Sequence, residues 1–200
     1  MNRWLLFCLG VSTLIGCTPH IKMPVYRSLV TDRAPNQFSY VLEEVVVRGT
    51  LYDQDVVILA GDTETKMKPS ASEWLRDAIV TEFDMAGLIE ASDATNQPRI
   101  KIVVEQFFAE QLNNIFIFAN FASQGAITIL RVTVTSSDGS FSYDRRFVGH
   151  LEDLNQVLYI YPFFFSELND LGEMLNQSAQ KALVNAASET RRLFENGEIR

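Results

Sequence analysis

Ala126-Ile127-Thr128-Ile129-Leu130-Arg131-Val132-Thr133-Val134-Thr135-Ser136-Ser137-Asp138-Gly139-Ser140-Phe141-Ser142-Tyr143-Asp144-Arg145-Arg146-Phe147-Val148 reads as a strand, a turn and a returning strand. The first ten residues are dense in β-branched side chains, which fit a pleated, half-buried surface. Ser136-Ser137-Asp138-Gly139 then breaks the run with a dipeptide that tolerates the positive φ of a tight hairpin. On the way back Phe141, Tyr143 and Phe147 share one parity, so one face of that strand is apolar. Arg145 and Arg146 must point to opposite faces; an ordinary strand-edge ion pair is the expected role, and contact of one of them with a sheet-face ligand is the alternative. An antiparallel hairpin with one apolar face needs a second layer to cover it.

Working outward, Arg99-Ile100-Lys101-Ile102-Val103-Val104-Glu105-Gln106-Phe107-Phe108 follows Pro98 and predicts another strand. Ile100, Ile102, Val104 and Phe108 fall on one parity, with Arg99, Lys101 and Glu105 on the other. Residues 38–47 and 55–61 predict two more strands, each closed by a glycine. Between them and Arg99, Ser70-Ala71-Ser72-Glu73 forms a capping box, in which the serine oxygen accepts from the Glu73 amide and the carboxylate reaches back. Trp74, Leu75, Ala78, Ile79 and Phe83 then recur at helical spacing until Gly87 supplies a stop. A second helix is predicted from about Glu167 to Glu195, where Leu168, Leu171, Leu175, Ala179, Ala182 and Ala186 form one face. Its small residues imply close approach to a sheet, and Arg191 and Arg192 suit the negative end of its macrodipole. The predicted fold class is α+β: a two-layer sandwich whose largely antiparallel sheet carries the mid-chain helix and the long C-terminal helix on one face. The other face is solvated, covered by the remaining segments, or used for binding.

The chain has 200 residues, 47% of them hydrophobic and 21% charged, which suits one buried core and excludes a disordered or collagen-like polymer. A formal net charge of -8 argues against a nucleic-acid partner, whose phosphates need a basic surface. Two cysteines and two histidines are too few for a Cys/His zinc site or a disulfide framework. At the N-terminus Arg3 precedes an apolar run over residues 4–15, a signal-peptide pattern too short to span a bilayer comfortably. That run ends Leu14-Ile15-Gly16-Cys17, which resembles the lipobox of bacterial lipoproteins. The resemblance implies cleavage between Gly16 and Cys17 and a diacylglycerol on the Cys17 thiol; the alternative is a plain secretory signal, or a buried hydrophobic N-terminal segment, with an accidental cysteine. Thr18, where inner-membrane lipoproteins carry Asp, implies export to the outer membrane. The expected organisation is a signal peptide at 1–16, the lipidated cysteine and a tether at 17–36, and one periplasmic domain at 37–197. Pro19, Pro24 and Pro35 mark the tether, with room for one edge strand near residues 21–25.

Two aromatic segments do not read as ordinary loops. One is Asn113-Asn114-Ile115-Phe116-Ile117-Phe118-Ala119-Asn120-Phe121, and the other is Tyr159-Ile160-Tyr161-Pro162-Phe163-Phe164-Phe165. Fully exposed, they would exceed the apolar patches that monomers usually show. Ile115, Phe116, Phe118, Phe121, Tyr159, Tyr161, Phe163, Phe164 and Phe165 are therefore the candidate interaction residues. Three readings stay open: strand extensions and a lid in the core, a protein–protein interface, or contact with the membrane interface.

The search for chemistry yields no enzyme, cofactor or metal site. His20 lies in the tether, His150 reads as a surface or edge residue, and there is no Gly-x-Ser-x-Gly elbow. Glu43-Glu44 and Glu152-Asp153 read as solvated acids, and Asp53, Asp55 and Asp62 lack the spacing of a calcium loop. No phosphate-binding glycine loop is present.

The order of lipobox, proline-spotted tether, two strands, a capped helix ending Met85-Ala86-Gly87-Leu88-Ile89, the strand from Arg99, the Asp138-Gly139 hairpin and the C-terminal helix resembles the YajG-like family of small bacterial envelope lipoproteins. Auxiliary lipoproteins of envelope lipid-transport ABC systems share the same lipobox and strand–strand–helix–strand order. With the lipid anchor, the absence of catalytic groups and the aromatic segments available for contact, the expected function is that of a non-enzymatic accessory subunit that binds another envelope component. The second resemblance implies a domain that binds or carries a lipid or another small apolar molecule between membranes.

Overall fold

The structure is a computed structural model, and it describes residues 20–35, 38–48, 56–60, 63–91, 96–116, 119–153 and 164–199. Its strands are β1 (His20–Lys22), β2 (Phe38–Val47), β3 (Val56–Ala60), β4 (Thr63–Lys68), β5 (Leu88–Glu90), β6 (Arg99–Phe116), β7 (Ala119–Thr135) and β8 (Ser142–Asp153). The helices are α1 (Ala71–Met85), between β4 and β5, and α2 (Phe164–Glu195), after β8.

β6, β7 and β8 pair antiparallel and carry the longest ladders in the sheet. The other edge of β6 is shared: β2 runs parallel to it along residues 99–104, and β3 runs parallel to it along residues 109–111. The sheet therefore forks. β5 extends one branch beside β2, while β4 and then β1 extend the other beside β3.

Both helices cover one face, α1 over β2 and β5, α2 over β6, β7 and β8. Ile100, Ile102 and Val104 of β6, Leu130, Val132 and Val134 of β7, and Tyr40 of β2 are buried beneath them. Full burial of each large apolar side chain contributes about 1.5–3 kcal/mol. From α1 come Trp74, Leu75, Ala78, Ile79 and Phe83; from α2 come Leu171, Leu175, Ala179, Ala182 and Ala186. The capping box forms as the sequence predicts, with Ser70 Oγ accepting from the Glu73 amide at 3.3 Å and the Ser70 amide donating to Glu73 at 3.1 Å. Gly87 follows the C-cap at φ 79°, a conformation that side chains disfavour.

The small-residue face of α2 has a specific counterpart in β8. A Cβ placed on Gly149 would lie 1.7 Å from the carbonyl oxygen of Ser178, so only glycine lets the helix backbone rest on the strand. Beside that contact Thr128 and Ser178 share a buried hydrogen bond of 2.7 Å.

Three expectations change. A register shift between Val104 and Gln106 reverses the parity of β6, so Phe107 is buried in place of Phe108. Residues 20–35 are not a free tether: after β1 the chain is laid across the helices with Met23 and Tyr26 buried. The Trp74 indole donates to the Pro24 carbonyl, Gln180 donates to the Arg27 carbonyl, and the Ala34 amide donates to the Met85 carbonyl. The Pro24 carbonyl and the residues that follow it thus find partners on α1 and α2. Finally, Arg191 serves the other helix: its Nη1 donates to the carbonyl of Ala86, the C-cap of α1, which joins the ends of the two helices.

Candidate functional site

The sheet topology gives the candidate residues a common location. β3 is parallel to β6, β4 is antiparallel to β3, and β1 is parallel to β4. β1 thus runs opposite to β6, and its first residue, His20, faces the end of the sheet toward which β6 climbs to Phe116. Gly16 and Cys17 lie outside the described residues, but Cys17 is three residues before His20, a reach of at most about 11 Å.

At this same end β6 and β7 outrun their neighbours among the described residues. β3 accompanies β6 as far as Gln111, and β8 accompanies β7 as far as Gln124. Beyond them residues 112–116 and 119–123 pair only with each other among the described residues, in the register Asn114↔Phe121, Ile115↔Asn120 and Phe116↔Ala119. Ile115, Phe116 and Phe121 therefore sit on strand backbone, in a ribbon that extends β6 and β7. Phe118 falls outside the described residues. β8 also ends here, at Asp153, and α2 starts here: it lies on β8 at Ser178–Gly149 and runs away toward Glu189, which meets Tyr143 and Arg145. Phe164 and Phe165 occupy the first turn of α2, while Tyr159, Tyr161 and Phe163 lie outside the described residues. The fold thus brings the ribbon, the start of α2 and the start of β1 to one end of the domain, which their spacing in the sequence does not reveal.

Two carboxylates at other places organise the described polar contacts, and neither was singled out from sequence. Glu82 is buried and accepts from the Tyr26 hydroxyl at 2.7 Å and the Ser28 hydroxyl at 3.0 Å. Burial and this neighbouring carboxylate push the Tyr26 hydroxyl far above its ordinary range, so it stays a donor. The signal was present in the helix pattern, because Glu82 lies on the apolar face with Ala78, Ile79 and Phe83. Glu189 lies in a shallow groove of about 510 Å³ between β8 and α2, lined in part by Arg145, Asn185, Ser188 and Arg192. Arg192 donates to it twice at 2.9 Å, Arg145 at 3.1 Å and the Tyr143 hydroxyl at 3.2 Å. Arg192 foremost holds its carboxyl down to about 2.

The face of the sheet away from the helices is laced with ion pairs: Arg99–Glu43, Lys101–Glu44, Arg146–Glu105 and Arg131–Asp144. Arg145 and Arg146 point to opposite sides, as their adjacency requires, and both are paired. His150 is exposed beside Glu152. Among the described residues no group of three or more His, Cys, Asp or Glu is placed to hold a metal, and no helix is long and apolar enough to cross a membrane.

No family model matches this chain, and no curated protein matches its sequence. Solved structures do match its fold. An uncharacterized protein is 17% identical with a TM-score of 0.51, covering 86% of this chain and 98% of its own. A protein of the DUF330 family from Xanthomonas campestris is 15% identical with a TM-score of 0.49, over 90% and 97% of the two chains. A minor lipoprotein from Acinetobacter baumannii is 8% identical with a TM-score of 0.35, over 74% and 96%. The first of these shares the α+β fold; at such identities nothing about function passes from one protein to the other.

Proposed function

We propose that this chain is a bacterial envelope lipoprotein, held at the outer membrane by a lipid on Cys17, whose α+β domain faces the periplasm as a non-enzymatic accessory or binding subunit. One observation carries this reading: Leu14-Ile15-Gly16-Cys17 closes an apolar leader, and the domain's first strand begins three residues later, at His20. Two or three acyl chains at about 0.8 kcal/mol per buried methylene hold a protein stably on a bilayer. Membership of the YajG-like lipoproteins belongs to the same proposal and rests on the order of sequence features given above. A binding role is favoured because the polar clusters are spent on structure: Glu82 pins residues 26–28, and Glu189 ties β8 to α2.

Mass spectrometry of the protein purified from membranes tests the anchor. The expected product begins at Cys17 and carries a diacylglyceryl group, and Cys17→Ser abolishes both. Maturation at the usual size with continued membrane sedimentation in Cys17→Ser would refute it. Pulldown in mild detergent then tests the subunit role: a discrete envelope protein is expected with the wild-type chain, and its absence under every mild condition counts against that role.

A further inference from the structure

We propose that the β6–β7 ribbon, residues 112–116 and 119–123, is a second membrane contact that rests in the headgroup layer beside the lipidated Cys17. This deepens the anchored-lipoprotein reading and rests on it.

Distance carries the inference. Through the registers His20↔Lys66, Val56↔Lys66 and Ile58↔Ala109, His20 lies about level with Phe107 of β6. Cys17, even on a chain extended straight toward the ribbon, reaches about the level of Glu110. Phe116 lies six residues further along β6, about 20 Å at the rise of a strand. The ribbon therefore outreaches the point of lipid attachment, on the same end of the sheet. With the domain held within about 11 Å of Cys17, a ribbon that extends past the anchor is placed to meet the bilayer, either pointing into it or laid along its surface as the domain leans over.

Composition and hydrogen bonding choose the depth. From Gln111 to Leu130 the sequence contains no Asp, Glu, Lys or Arg, so no charge must be desolvated on contact. Asn113, Asn114 and Asn120 are interspersed with Ile115, Phe116 and Phe121. Among the described residues the ribbon's two outer edges have no ladder partner, and each unpartnered backbone group would cost several kcal/mol in hydrocarbon. The headgroup layer supplies water and polar groups to those edges while accepting apolar side chains. Phe164 and Phe165, in the first turn of α2 at the same end, extend the apolar sequence there. A net charge of -8 makes zwitterionic lipid the favoured surface.

The mature chain retains no free thiol once Cys17 is lipidated, so one introduced cysteine is a unique label site. Ala119→Cys, at the ribbon end, and Ser142→Cys, at the far end of β8, are each labelled with an environment-sensitive fluorophore. The full lipidated protein is reconstituted into protein-free phosphatidylcholine–phosphatidylethanolamine vesicles. The expected result is a blue shift at position 119, with most of its emission lost to lipid-borne nitroxide, and neither change at position 142. If the protein floats with the vesicles but position 119 remains as open to aqueous iodide as position 142, the ribbon contact is wrong and the anchor stands. If the intact mass lacks the diacylglyceryl group and the protein does not float, the anchor reading itself has failed, and this inference with it. A shift at position 119 in native envelope membranes but not in protein-free vesicles assigns the ribbon to a partner protein and overturns the bilayer contact. Circular dichroism matching wild type and a unique label stoichiometry establish that both variants are folded.

Discussion

Gly149→Ala perturbs the contact on which the α2 layer depends. The new Cβ would sit 1.7 Å from Ser178 O, 2.7 Å from Ser178 C and 3.1 Å from Ala182 N, all backbone atoms that no rotamer change can move. Restoring the first contact to a tolerable separation requires the helix to retreat from β8 by more than about 1 Å, and close-packed dispersion contacts fall off steeply over that distance. Overpacking of this kind costs about 1–3 kcal/mol. The same retreat stretches the buried 2.7 Å hydrogen bond between Thr128 and Ser178, whose loss adds about 1 kcal/mol. The expected total is about 3 kcal/mol, read as a lowered urea midpoint at constant slope. Two other glycines provide internal controls. Gly139 has φ 72° with nothing within 4 Å of a Cβ, so alanine there meets backbone strain alone and costs about 1 kcal/mol. Gly125 has its nearest neighbour at 3.7 Å, ordinary contact, so alanine there is neutral or stabilises by about 0.5 kcal/mol. Equal effects at 149 and 125 would refute the close approach of α2 to β8.

Phe107→Ala is expected to cost about 3–5 kcal/mol and Phe108→Ala less than about 1 kcal/mol, because the β6 bulge buries the former, stacked on Trp74 at 5.7 Å; chemical denaturation checks the order, and a reversed order would remove the bulge. Tyr26→Phe withdraws a 2.7 Å donor from buried Glu82 and is expected to destabilise by about 1.5–3 kcal/mol, with faster proteolytic nicking among residues 27–33. Glu189 is held at about 2 against an ordinary 4.5, so its stabilisation is complete above about pH 4.5 and lost as pH falls through 2. Solvent around its arginine partners limits that contribution to about 1 kcal/mol, and Glu189→Gln is expected to flatten the acid limb of a stability–pH curve by that amount.

How far the sequence carried the fold depends on how local each instruction was. The capping box at Ser70 and Glu73, the Asp138-Gly139 turn and the apolar stripe from Leu171 to Ala186 are self-contained, and each formed where its pattern placed it. β4 escaped notice because Thr63-Glu64-Thr65-Lys66-Met67-Lys68 carries little apolar signal, and its strand character comes from pairing with β3 and β1. β5 is three residues long, too short for any period to show. The bulge after Val104 leaves no mark in a run of alternating apolar residues, yet it decides which phenylalanine enters the core. The prolines of residues 20–35 suggested a free linker, since nothing nearby in the chain reveals that Glu82 and Gln180 are waiting for Tyr26 and Arg27. For the candidate site, residue types were legible and location was not. Ile115, Phe116 and Phe121 stood out by composition, whereas their place at the end where β1 begins follows from four strand directions taken together.

The bond from Gln180 to the Arg27 carbonyl spans 153 positions of sequence, and α2 follows every strand it covers. As the chain is made, the segment around Arg27 must wait, unclosed, until nearly the whole polypeptide has been delivered. Such distant closure is slow and leaves apolar strand surface open to misassociation in the meantime. The yield of folded protein is therefore set by how long the strands stand open before α2 reaches them.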